Sequence, residues 1–406
     1  MGRIDDKTPS NSPSMGRIER MVAELCPEGV EYASIGDICQ ILDSARKPIS
    51  KGKREKGIYP YYGANGIQDW VKDYIFDGTF VLLGEDGSVI NKDKSPILNW
   101  ASGKIWVNNH AHILKEADSN INLRFVYYSL QCADVSDLVH GTPPKLNQAN
   151  LRGIQIPLPP LPIQEAIVEI LDKFDRLSAE LQAELQARKQ QYEYYRNQLL
   201  TRFAPEQPVT EYLLGELGTF TKGAGILKSD FREQGYPCIH YGQVHTYYGT
   251  FAHSTKSFVD NSYATKLRKA NHGDLIIAST SEDVEACCKA CAWMGNYEVA
   301  VSGDAHIYSH NQNPKYMAYL FQTEAFAKQK RLAANGAKVV RVKGEAMAKF
   351  RFVFPSLEEQ SRIVAILDKF EALVNDLSQG LPAEIAAVQE QYEYYRNKLL
   401  TFKTKE

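Results

Sequence analysis

The heptapeptide QYEYYRN occupies residues 191–197 and is repeated letter for letter at residues 391–397. The pentapeptide ILDKF is also repeated, at residues 170–174 and 366–370, upstream of each copy. A proline-marked strand pattern precedes each ILDKF, IQIPLPPLP in the first case and FRFVFPSLE in the second. A unit of about 45 residues therefore occurs twice, and a repeat on this scale determines how the chain is organised.

Each repeated unit predicts a long amphipathic helix. Apolar residues recur at steps of three and four, the spacing of a helix face that packs against another helix. These residues are Ile167, Ile170, Phe174, Leu177 and Leu181 in the first unit and Ile363, Ile366, Phe370, Leu373 and Leu377 in the second. Each helix should extend over about 35 residues, or about 50 Å. QGLP at residues 379–382 should break or kink the second helix, because proline removes a backbone hydrogen bond.

Two globular segments alternate with these helices, at about residues 30–156 and 209–353. Both are rich in aromatic residues, glycines and short strand patterns such as GTFVLLG and GDLIIAST, which predicts mixed α/β domains (α+β). Two similar helices that each leave a globular domain most simply pair antiparallel. The predicted fold is therefore two globular domains separated by two long antiparallel coiled-coil helices in a pseudo-two-fold arrangement. A plain duplicated protein whose helices only bundle is the alternative.

The domain boundaries follow from the same repeat. Residues 1–14 are interpreted as an appended or disordered leader, because MGRI occurs on both sides of a stretch rich in Ser, Pro and Asn. The first domain is predicted at residues 15–160 and the first helix at 161–203. The second domain is predicted at residues 204–356 and the second helix at 357–406.

Composition restricts the class of protein. The 406 residues carry a formal net charge of −2, so any attraction to DNA must come from local clusters of charge. No apolar run reaches the roughly 18 residues of a membrane span, and no secretory signal opens the chain. Seven scattered cysteines fit a reducing compartment better than a disulfide framework. A cytoplasmic protein without membrane contact is expected.

Two segments concentrate positive charge, ARKPISKGKREKG at residues 45–57 and KQKRLAANGAKVVRVKGEAMAKFR at residues 328–351. Clusters of this kind supply the attraction to phosphates on which DNA binding depends. Residues 59–68, 236–245 and 140–151 add Tyr, Asn, Gln and His, which pair with base edges, and glycines that permit close approach. The plainer alternative is a set of solvated charges and structural turns with packed tyrosines.

Motifs for catalysis are missing from the sequence. There is no phosphate-binding loop, dinucleotide fingerprint, G-x-S-x-G or H-E-x-x-H. Cys288 and Cys291 have C-x-x-C spacing, but His306 and His310 are only loosely placed to complete a zinc site, so reduced buried thiols are expected. The histidines of NNHAHI, residues 108–113, are interpreted as a pair at a strand end. No metal site is predicted.

Taken together, these features resemble one known family, the DNA specificity subunit of type I restriction-modification systems. The resemblance covers nearly the whole chain after about residue 25. It rests on LCPEGVEYASIGDI, on the junctions LPPLPIQEAIVEILDKF and FPSLEEQSRIVAILDKF, on LVHGTPPKLNQANLRGIQIPLP and on the duplicated QYEYYRN. SAELQAEL at residues 178–185 is similar to the spacer repeats of the type IC subgroup.

The resemblance implies that each globular domain is a target-recognition domain for one half of an asymmetric, bipartite sequence in double-stranded DNA. The helices would set the spacing of the halves and dock two methyltransferase (modification) subunits, and two restriction subunits would join the complex. It also implies a non-catalytic chain without a cofactor of its own. S-adenosylmethionine, ATP and Mg would be bound by the partner subunits.

Individual residues follow from these expectations. The residues expected to contact DNA are Arg46, Lys47, Lys53, Arg54, Tyr61, Tyr62, Asn65, Lys145, Asn147, Tyr241, Gln243, His245, Lys338, Arg341 and Lys343. The residues expected to dock the methyltransferase are Tyr192, Tyr195, Arg196, Tyr392, Tyr395 and Arg396. Two other hypotheses remain at this point. In the first the chain itself cuts or methylates DNA, and in the second it is a protein-binding coiled-coil adaptor without DNA readout.

Overall fold

A computed structural model describes residues 13–336, 338–376 and 379–405 of the protein. The chain divides into two compact units, unit 1 (Met1–Leu181 with Ile385–Glu406) and unit 2 (Gln182–Glu384). Most of the expected leader lies outside the described residues. Its last two positions do not, because the first helix already begins at Pro13.

Unit 1 contains eight strands and the helices around them. The strands are β1 (Tyr32–Ser34), β2 (Cys39–Ile41), β3 (Lys56–Gly63), β4 (Gly66–Val71), β5 (Phe76–Gly84), β6 (Leu98–Val107), β7 (Ala111–Glu116) and β8 (Gln155–Pro157). The helices are α1 (Pro13–Leu25), α2 (Ile35–Ile38), α3 (Leu123–Leu130), α4 (Gln148–Gly153) and the first half of α5 (Leu161–Thr201). Three short 3-10 turns occur at Asp43–Ala45, Lys51–Lys53 and Ser136–Leu138.

The main sheet of unit 1 has the strand order β2-β7-β5-β6-β3-β4. Only the β3–β6 pair is parallel. Alternate side chains of β5 point to opposite faces of the sheet and into two different cores. Val81 and Leu83 pack on the face that carries helix α3, whereas Phe80 and Leu82 belong to the apolar cluster on the other face. Strands β2 and β4 are the two edges of this sheet.

Unit 2 is built mainly from shorter strands. These are β9 (Val209–Leu213), β10 (Gly218–Lys222), β11 (Tyr236–Ile239), β12 (Phe251–Ala252), β13 (Ser257–Val259), β14 (Lys269–Ala270), β15 (Leu275–Ala278), β16 (Thr280–Ser281), β17 (Lys289–Trp293), β18 (Val299–Val301), β19 (Ala305–His310), β20 (Val340–Arg341) and β21 (Arg351–Pro355). The helices are α6 (Leu214–Leu217), α7 (Tyr241–Thr246), α8 (Asn261–Ala264), α9 (Pro314–Leu320), α10 (Glu324–Ala333), α11 (Gly344–Met347), α12 (Leu357–Asn375) and α13 (Leu381–Leu400), of which the last crosses into unit 1.

The larger sheet of unit 2 repeats the plan of unit 1. Its order is β10-β19-β15-β17-β12, and β12 is parallel to β17 just as β3 is parallel to β6. A second sheet, β13-β11-β18-β14, has no counterpart among the described strands of unit 1. The pair β21–β9 corresponds to β8–β1. Two domains of low mutual similarity in sequence therefore share a framework of strands.

Helix α5 runs for 41 residues without a break, longer than predicted. The buried face is shifted from the predicted one, since Ile163, Ile167 and Leu171 are buried but Leu177 is exposed. The reason is that this face packs on the globular part of unit 1, including Phe125 of α3.

The second repeated helix is interrupted, as predicted. Helix α12 ends at Asn375 and α13 begins at Leu381. Pro382 is the second residue of α13, where a missing N–H removes no helical bond. A Cβ on Gly380 would lie 2.5 Å from the Ala372 carbonyl oxygen, so only glycine fits against the end of α12. Leu377 of the predicted face lies outside the described residues, and Leu373 is exposed.

No helix in the described ranges has the length and the apolar composition needed to span a bilayer.

Candidate nucleic-acid interface

Unit 2 carries a basic loop over the end of a sheet. Within residues 335–343 the Arg341 N–H and carbonyl pair with those of Asn335, at 2.9 and 3.0 Å. Strand β20 pairs with β16, which sets Arg341 opposite Thr280. The Val342 N–H donates to the Ser279 carbonyl at 3.1 Å. These bonds attach the loop to the sheet on one side, and residue 337 lies outside the described residues.

The loop covers a cavity of about 640 Å³. Its lining includes the basic residues Lys222, Arg341 and Lys343, which form no ion pair within the described residues. His306 lies in the wall of the cavity, and its Nδ1 is 2.9 Å from the Ser279 hydroxyl. Burial, with a smaller effect of Lys222, lowers the pKa of His306 to about 4. The positive charge of the cavity therefore comes from its three cationic side chains, and the acidic residues Asp304 and Glu345 in the same lining offset part of it.

Unit 1 has the same construction with different side chains. The backbone of Lys145 pairs with the backbones of Asp86 and His140. In unit 2 the backbone of Arg341 pairs in the same way with those of Thr280 and Asn335. The Leu146 N–H donates to the Glu85 carbonyl at 2.9 Å. Residues 140–147 of unit 1 thus correspond to residues 335–343 of unit 2. The two segments share hardly any residues, so their equivalence is visible in the strand pairing and not in the sequence.

The charges beneath the loop of unit 1 are already paired. Arg46 and Lys145 both contact the Glu85 carboxylate, at 2.5 and 3.1 Å. His112 Nδ1 is 2.6 Å from Asp43, and His112 Nε2 donates to the Leu146 carbonyl at 2.8 Å. Burial works to raise the pKa of Asp43, but the hydrogen bond and charge of His112, together with Arg46, outweigh it and lower that pKa.

This cluster is also where ligand-type side chains gather. Asp43, Glu85 and His112 bring three ligand atoms within 4.8 Å of one another. Arg46 and Lys145 occupy the carboxylates, however, and both nitrogens of the imidazole are engaged. The arrangement is that of an ion-pair network which holds four chain segments together, since buried charges require partners.

Several residues expected to contact bases in unit 1 are structural. The Tyr61 ring is buried, its hydroxyl is 3.0 Å from the Ile49 N–H, and the Arg54 guanidinium stacks on the ring at 4.2 Å. Tyr62 is buried in the core, so DNA bases cannot reach either phenol. For these two tyrosines the expectation of base contact is wrong, because Tyr61 is covered by Ile49 and Arg54 and Tyr62 packs in the apolar core.

The exposed candidates of unit 1 are Lys47, Lys53, Asn65 and Lys145, of which Lys145 is paired with Glu85. Asn65 lies at the tip of the hairpin between β3 and β4. Neither Lys47 nor Lys53 forms an ion pair within the described part of the chain. Asn147 is exposed too, but its side-chain oxygen accepts the Asn150 N–H at 2.8 Å and caps α4.

The candidates on α7 of unit 2 are also largely engaged. The Gln243 side chain accepts the His240 N–H at 3.0 Å and donates to the Ser257 hydroxyl at 2.6 Å, so its amide is used for packing. The His245 Nε2 lies 3.0 Å from the Thr280 carbonyl, which ties α7 to the wall of the cavity. Tyr241 is half-buried beside His240, and Lys338 is exposed on the basic loop.

All seven cysteines are free thiols. Cys288 and Cys291 are buried, and burial raises the pKa of Cys291 to about 12. His310 does not face a ligand set, because its Nδ1 accepts the Gln312 N–H at 3.2 Å. In the described ranges the only cluster of metal-ligand type is the one in unit 1.

Equivalent hydrogen bonds and ion pairs hold each repeated helix on its own unit. In unit 1, Arg124 and Tyr128 of α3 bind Asp172 and Asp175, with distances of 2.6 to 2.8 Å.

In unit 2, Tyr319 of α9 binds Asp368 and Glu371 at 2.7 and 2.6 Å, and Lys315 binds Asp368 at 2.7 Å. The acidic residues come from ILDKF and its following residue in both cases, which explains why this stretch is duplicated.

Each QYEYYRN also faces its own globular part. The Tyr392 hydroxyl donates to Gln131 at 2.8 Å in unit 1, and Arg196 donates to Gln322 at 3.1 Å in unit 2. Tyr192 and Tyr392 are only 5% and 9% exposed. A partner cannot reach these two rings, so the expectation that they dock the methyltransferase is wrong.

Of the remaining residues expected to dock the methyltransferase, the two arginines pack against their own unit and the two tyrosines stay partly exposed. Arg196 and Arg396 stack on the buried tyrosines, with the guanidinium carbon 5.0 and 5.4 Å from the ring centre. Tyr195 and Tyr395 contact Phe370 and Phe174, at 5.7 and 5.6 Å between ring centres, and keep one side open.

The outward residues of the heptapeptide are Tyr194 and Tyr394, which are 60% and 53% exposed. Sequence reasoning missed them, and the signal was available, since they are two residues from the buried tyrosines and therefore on the opposite face of the helix.

The sequence model of the type I restriction modification DNA specificity domain matches this chain twice, at residues 27–188 and 206–387. The chain belongs to this family. The resemblance drawn from the sequence and the predicted plan of two domains with long helices are confirmed. Each match covers one of the two similar sets of strands together with the repeated helix that packs on it.

Relatives support the same assignment. A Haemophilus influenzae protein that carries the name of a type I restriction enzyme specificity subunit is 33% identical, over 92% of this chain and 96% of that protein. The EcoR124I/EcoR124II specificity subunit of Escherichia coli is 31% identical, over 80% of this chain and 85% of its own. The crystal structure of the type I S subunit from M. genitalium has the same fold, with a TM-score of 0.56 at 14% identity over 92% of this chain and 96% of that one.

Membership in this family bears on the adaptor hypothesis left by the sequence. This specificity subunit confers DNA sequence specificity, and a protein-binding adaptor without DNA readout is not favoured.

Proposed function

We propose that each unit of this specificity subunit reads one half of a split DNA target through the loop that covers the end of its main sheet. The observation that carries the proposal is the equivalence of residues 140–147 and 335–343. Both loops stand in the same place on the same framework, and both bring basic side chains to it. To read two different half-sites, a protein needs the same backbone framework at each site with different side chains on it.

The two loops differ in how much charge they leave free. Lys145 is held by Glu85, whereas Arg341 and Lys343 have no ion pair within the described residues. The loop of unit 2 should therefore contribute more to the salt-dependent part of the DNA affinity than the loop of unit 1 does. Different side chains at the two loops also lead to an asymmetric target, with different bases read at its two halves.

The helices have two proposed roles. Helix α5 and the pair α12 and α13 fix the spacing of the half-sites, because a continuous helix has a defined rise per residue. Their outward tyrosines, Tyr194 and Tyr394, dock two copies of the methyltransferase subunit. The same exposed face on both copies of QYEYYRN suits two copies of one partner. Two restriction subunits complete the assembly.

The chemistry is proposed to belong to those partners. This chain acts as a non-catalytic subunit, and the partners bind S-adenosylmethionine, ATP and Mg. Its work on cellular DNA and its seven free thiols fit a cytoplasmic location.

The decisive experiment is sequencing of methylated bases in DNA from cells that carry this chain together with its modification subunit. Cells with the modification subunit alone are the reference. A split, asymmetric motif of methylated adenines that requires this chain is the expected result. A confirmed complex that produces no motif would refute sequence readout by this chain.

Point variants then locate the reading surface. Arg341→Ala and Lys343→Ala should each weaken binding of a motif-containing duplex, and each should reduce the dependence of log Kd on log salt by about one unit if the lost contact is to a phosphate. Relaxed choice of a single base in the motif would instead identify a base contact. Lys266→Ala is the matched control, since Lys266 is exposed in the same unit and forms no ion pair in the described part of the chain. Variants indistinguishable from this control would contradict the placement of the interface.

A further inference from the structure

The hairpin of β3 and β4 in unit 1 exposes three large apolar side chains at one edge of the sheet. Ile58 is 75% exposed, Ile67 is 47% exposed and Trp70 is 51% exposed. Trp70 lies directly opposite Pro60 on the neighbouring strand, so the indole stands beside a rigid residue on one face of the hairpin. Exposed groups of this kind usually mark a surface that binds something.

The backbone that carries the indole is held firmly. The Asp69 side chain accepts the Trp70 N–H at 2.9 Å and also contacts Arg54 at 3.3 Å. Arg54 in turn lies on the buried Tyr61 ring at 4.2 Å. The indole is thus presented on a supported strand, and its exposure does not come from a loose loop.

Lysines outnumber carboxylates around this hairpin, where Asp69 is paired with Arg54 and Asp73 is exposed. Lys47, Lys51, Lys53 and Lys56 are exposed and have no ion pair within the described residues, and Lys72 is paired with Glu55 at 3.0 Å. Lys56 is in register with Val71, the residue next to Trp70. A protein core or an apolar peptide would have to desolvate these ammonium groups, whereas DNA phosphates match them.

We propose that Trp70 stacks on a base step of duplex DNA at the edge of the half-site read by unit 1, while the lysines around it hold the flanking phosphates. Side chains of this type act as wedges that unstack neighbouring bases and bend the duplex. The inference rests on the proposed function, because it requires that this specificity subunit binds DNA, and it adds a contact that reads the deformability of the DNA in addition to base edges.

The test uses the full chain in complex with its modification subunit and a duplex that contains the methylated motif. Stacking of a single-stranded base on an aromatic side chain contributes about 1–3 kcal/mol, and unstacking a duplex step offsets part of that, so Trp70→Ala should weaken binding toward the lower end of the range of about 5- to 150-fold. Trp70→Phe should retain most of the affinity, since phenylalanine also stacks. Trp70→Lys separates stacking from charge, because a further lysine would strengthen a contact that is only electrostatic. Binding of DNA to the unsubstituted complex should also quench tryptophan fluorescence, and Trp70→Phe should remove that quenching.

Leu25→Ala is the control for loss of an exposed apolar side chain elsewhere in unit 1. Unchanged affinity of Trp70→Ala, or binding by Trp70→Lys equal to or tighter than that of the unsubstituted complex, would overturn the inference. So would a Trp70→Ala chain that no longer assembles with the modification subunit, because the hairpin would then be a protein interface. If the unsubstituted complex itself does not distinguish the motif from a scrambled duplex, the proposed function fails, which is a different result from any of these.

Discussion

The same substitution in the two copies of QYEYYRN should have different effects on stability. The two tyrosines concerned, Tyr192 and Tyr392, are both buried, but their hydroxyls differ. The Tyr392 hydroxyl donates to Gln131 at 2.8 Å. The Tyr192 hydroxyl has no hydrogen-bond partner within the described residues. Replacement by phenylalanine removes only the oxygen, so each variant isolates one hydroxyl.

The magnitudes follow from the cost of burying polar groups. Tyr392→Phe loses a hydrogen bond with a net contribution of about 0.5–1.5 kcal/mol. Part of that loss is recovered, because Arg396 also lies 3.5 Å from the same Gln131 oxygen. Tyr192→Phe removes a buried hydroxyl that lies beside the Arg196 side chain but forms no well-aligned hydrogen bond in the described residues, so it should be neutral or stabilise unit 2 by up to about 1 kcal/mol. The two variants should therefore differ by about 1–2 kcal/mol, and Tyr392→Phe should be the less stable of the two.

Hydrogen exchange of the full chain measures each unit by itself. Amides of α3 (Leu123–Leu130) should lose protection about threefold to tenfold in Tyr392→Phe, whereas amides of α9 (Pro314–Leu320) should keep or gain protection in Tyr192→Phe. Tyr194→Phe is the control, since that hydroxyl is exposed. Equal losses of protection in the two variants would show that Tyr192 has a partner, and would refute the argument from its unpaired hydroxyl.

Three further predictions concern the helix, the cavity and the seat of α5. Insertion of one more QAEL after residue 185 lengthens α5 by about 6 Å, so the unread spacer of the methylated motif should grow by one or two base pairs, and an unchanged motif would contradict the role of α5 in spacing. The pKa of His306 is lowered to about 4 in the folded protein, whereas an imidazole in the unfolded chain has a pKa of about 6.5. The unfolded state therefore binds the proton at a higher pH than the folded state does. The free energy of unfolding should be highest above about pH 6.5 and should fall by about 3 kcal/mol toward pH 4. Urea unfolding of His306→Gln should lack that part of the acid sensitivity, and parallel pH profiles of the two proteins would count against it. Arg124→Met leaves Asp172 and Asp175 facing each other without their cation and should destabilise unit 1 by about 1–2 kcal/mol, measured by exchange of α3, whereas no change would mean that solvent screens this partly exposed pair.

The sequence by itself determined the parts of this protein that depend on local pattern. The repeat of ILDKF and QYEYYRN predicted two long helices that follow two similar domains, and QGLP predicted the break that lies between Asn375 and Leu381. Lysine- and arginine-rich segments indicated the chemistry of the proposed interface. These features are encoded within a few turns of helix or one loop, so their physical consequence can be read without knowing what lies opposite them.

Only the tertiary structure decided which side chains are available to a partner. Tyr392 is directed inward by Gln131, a residue 261 positions away, and Lys145 is neutralised by Glu85 across the end of a sheet. Lys222 joins the basic cavity of unit 2 from a strand that carries no cluster of charge of its own. Each of these outcomes depends on a contact between segments distant in sequence. A local pattern specifies the chemical character of a side chain, but burial and ion pairing depend on the partner that the fold places beside it.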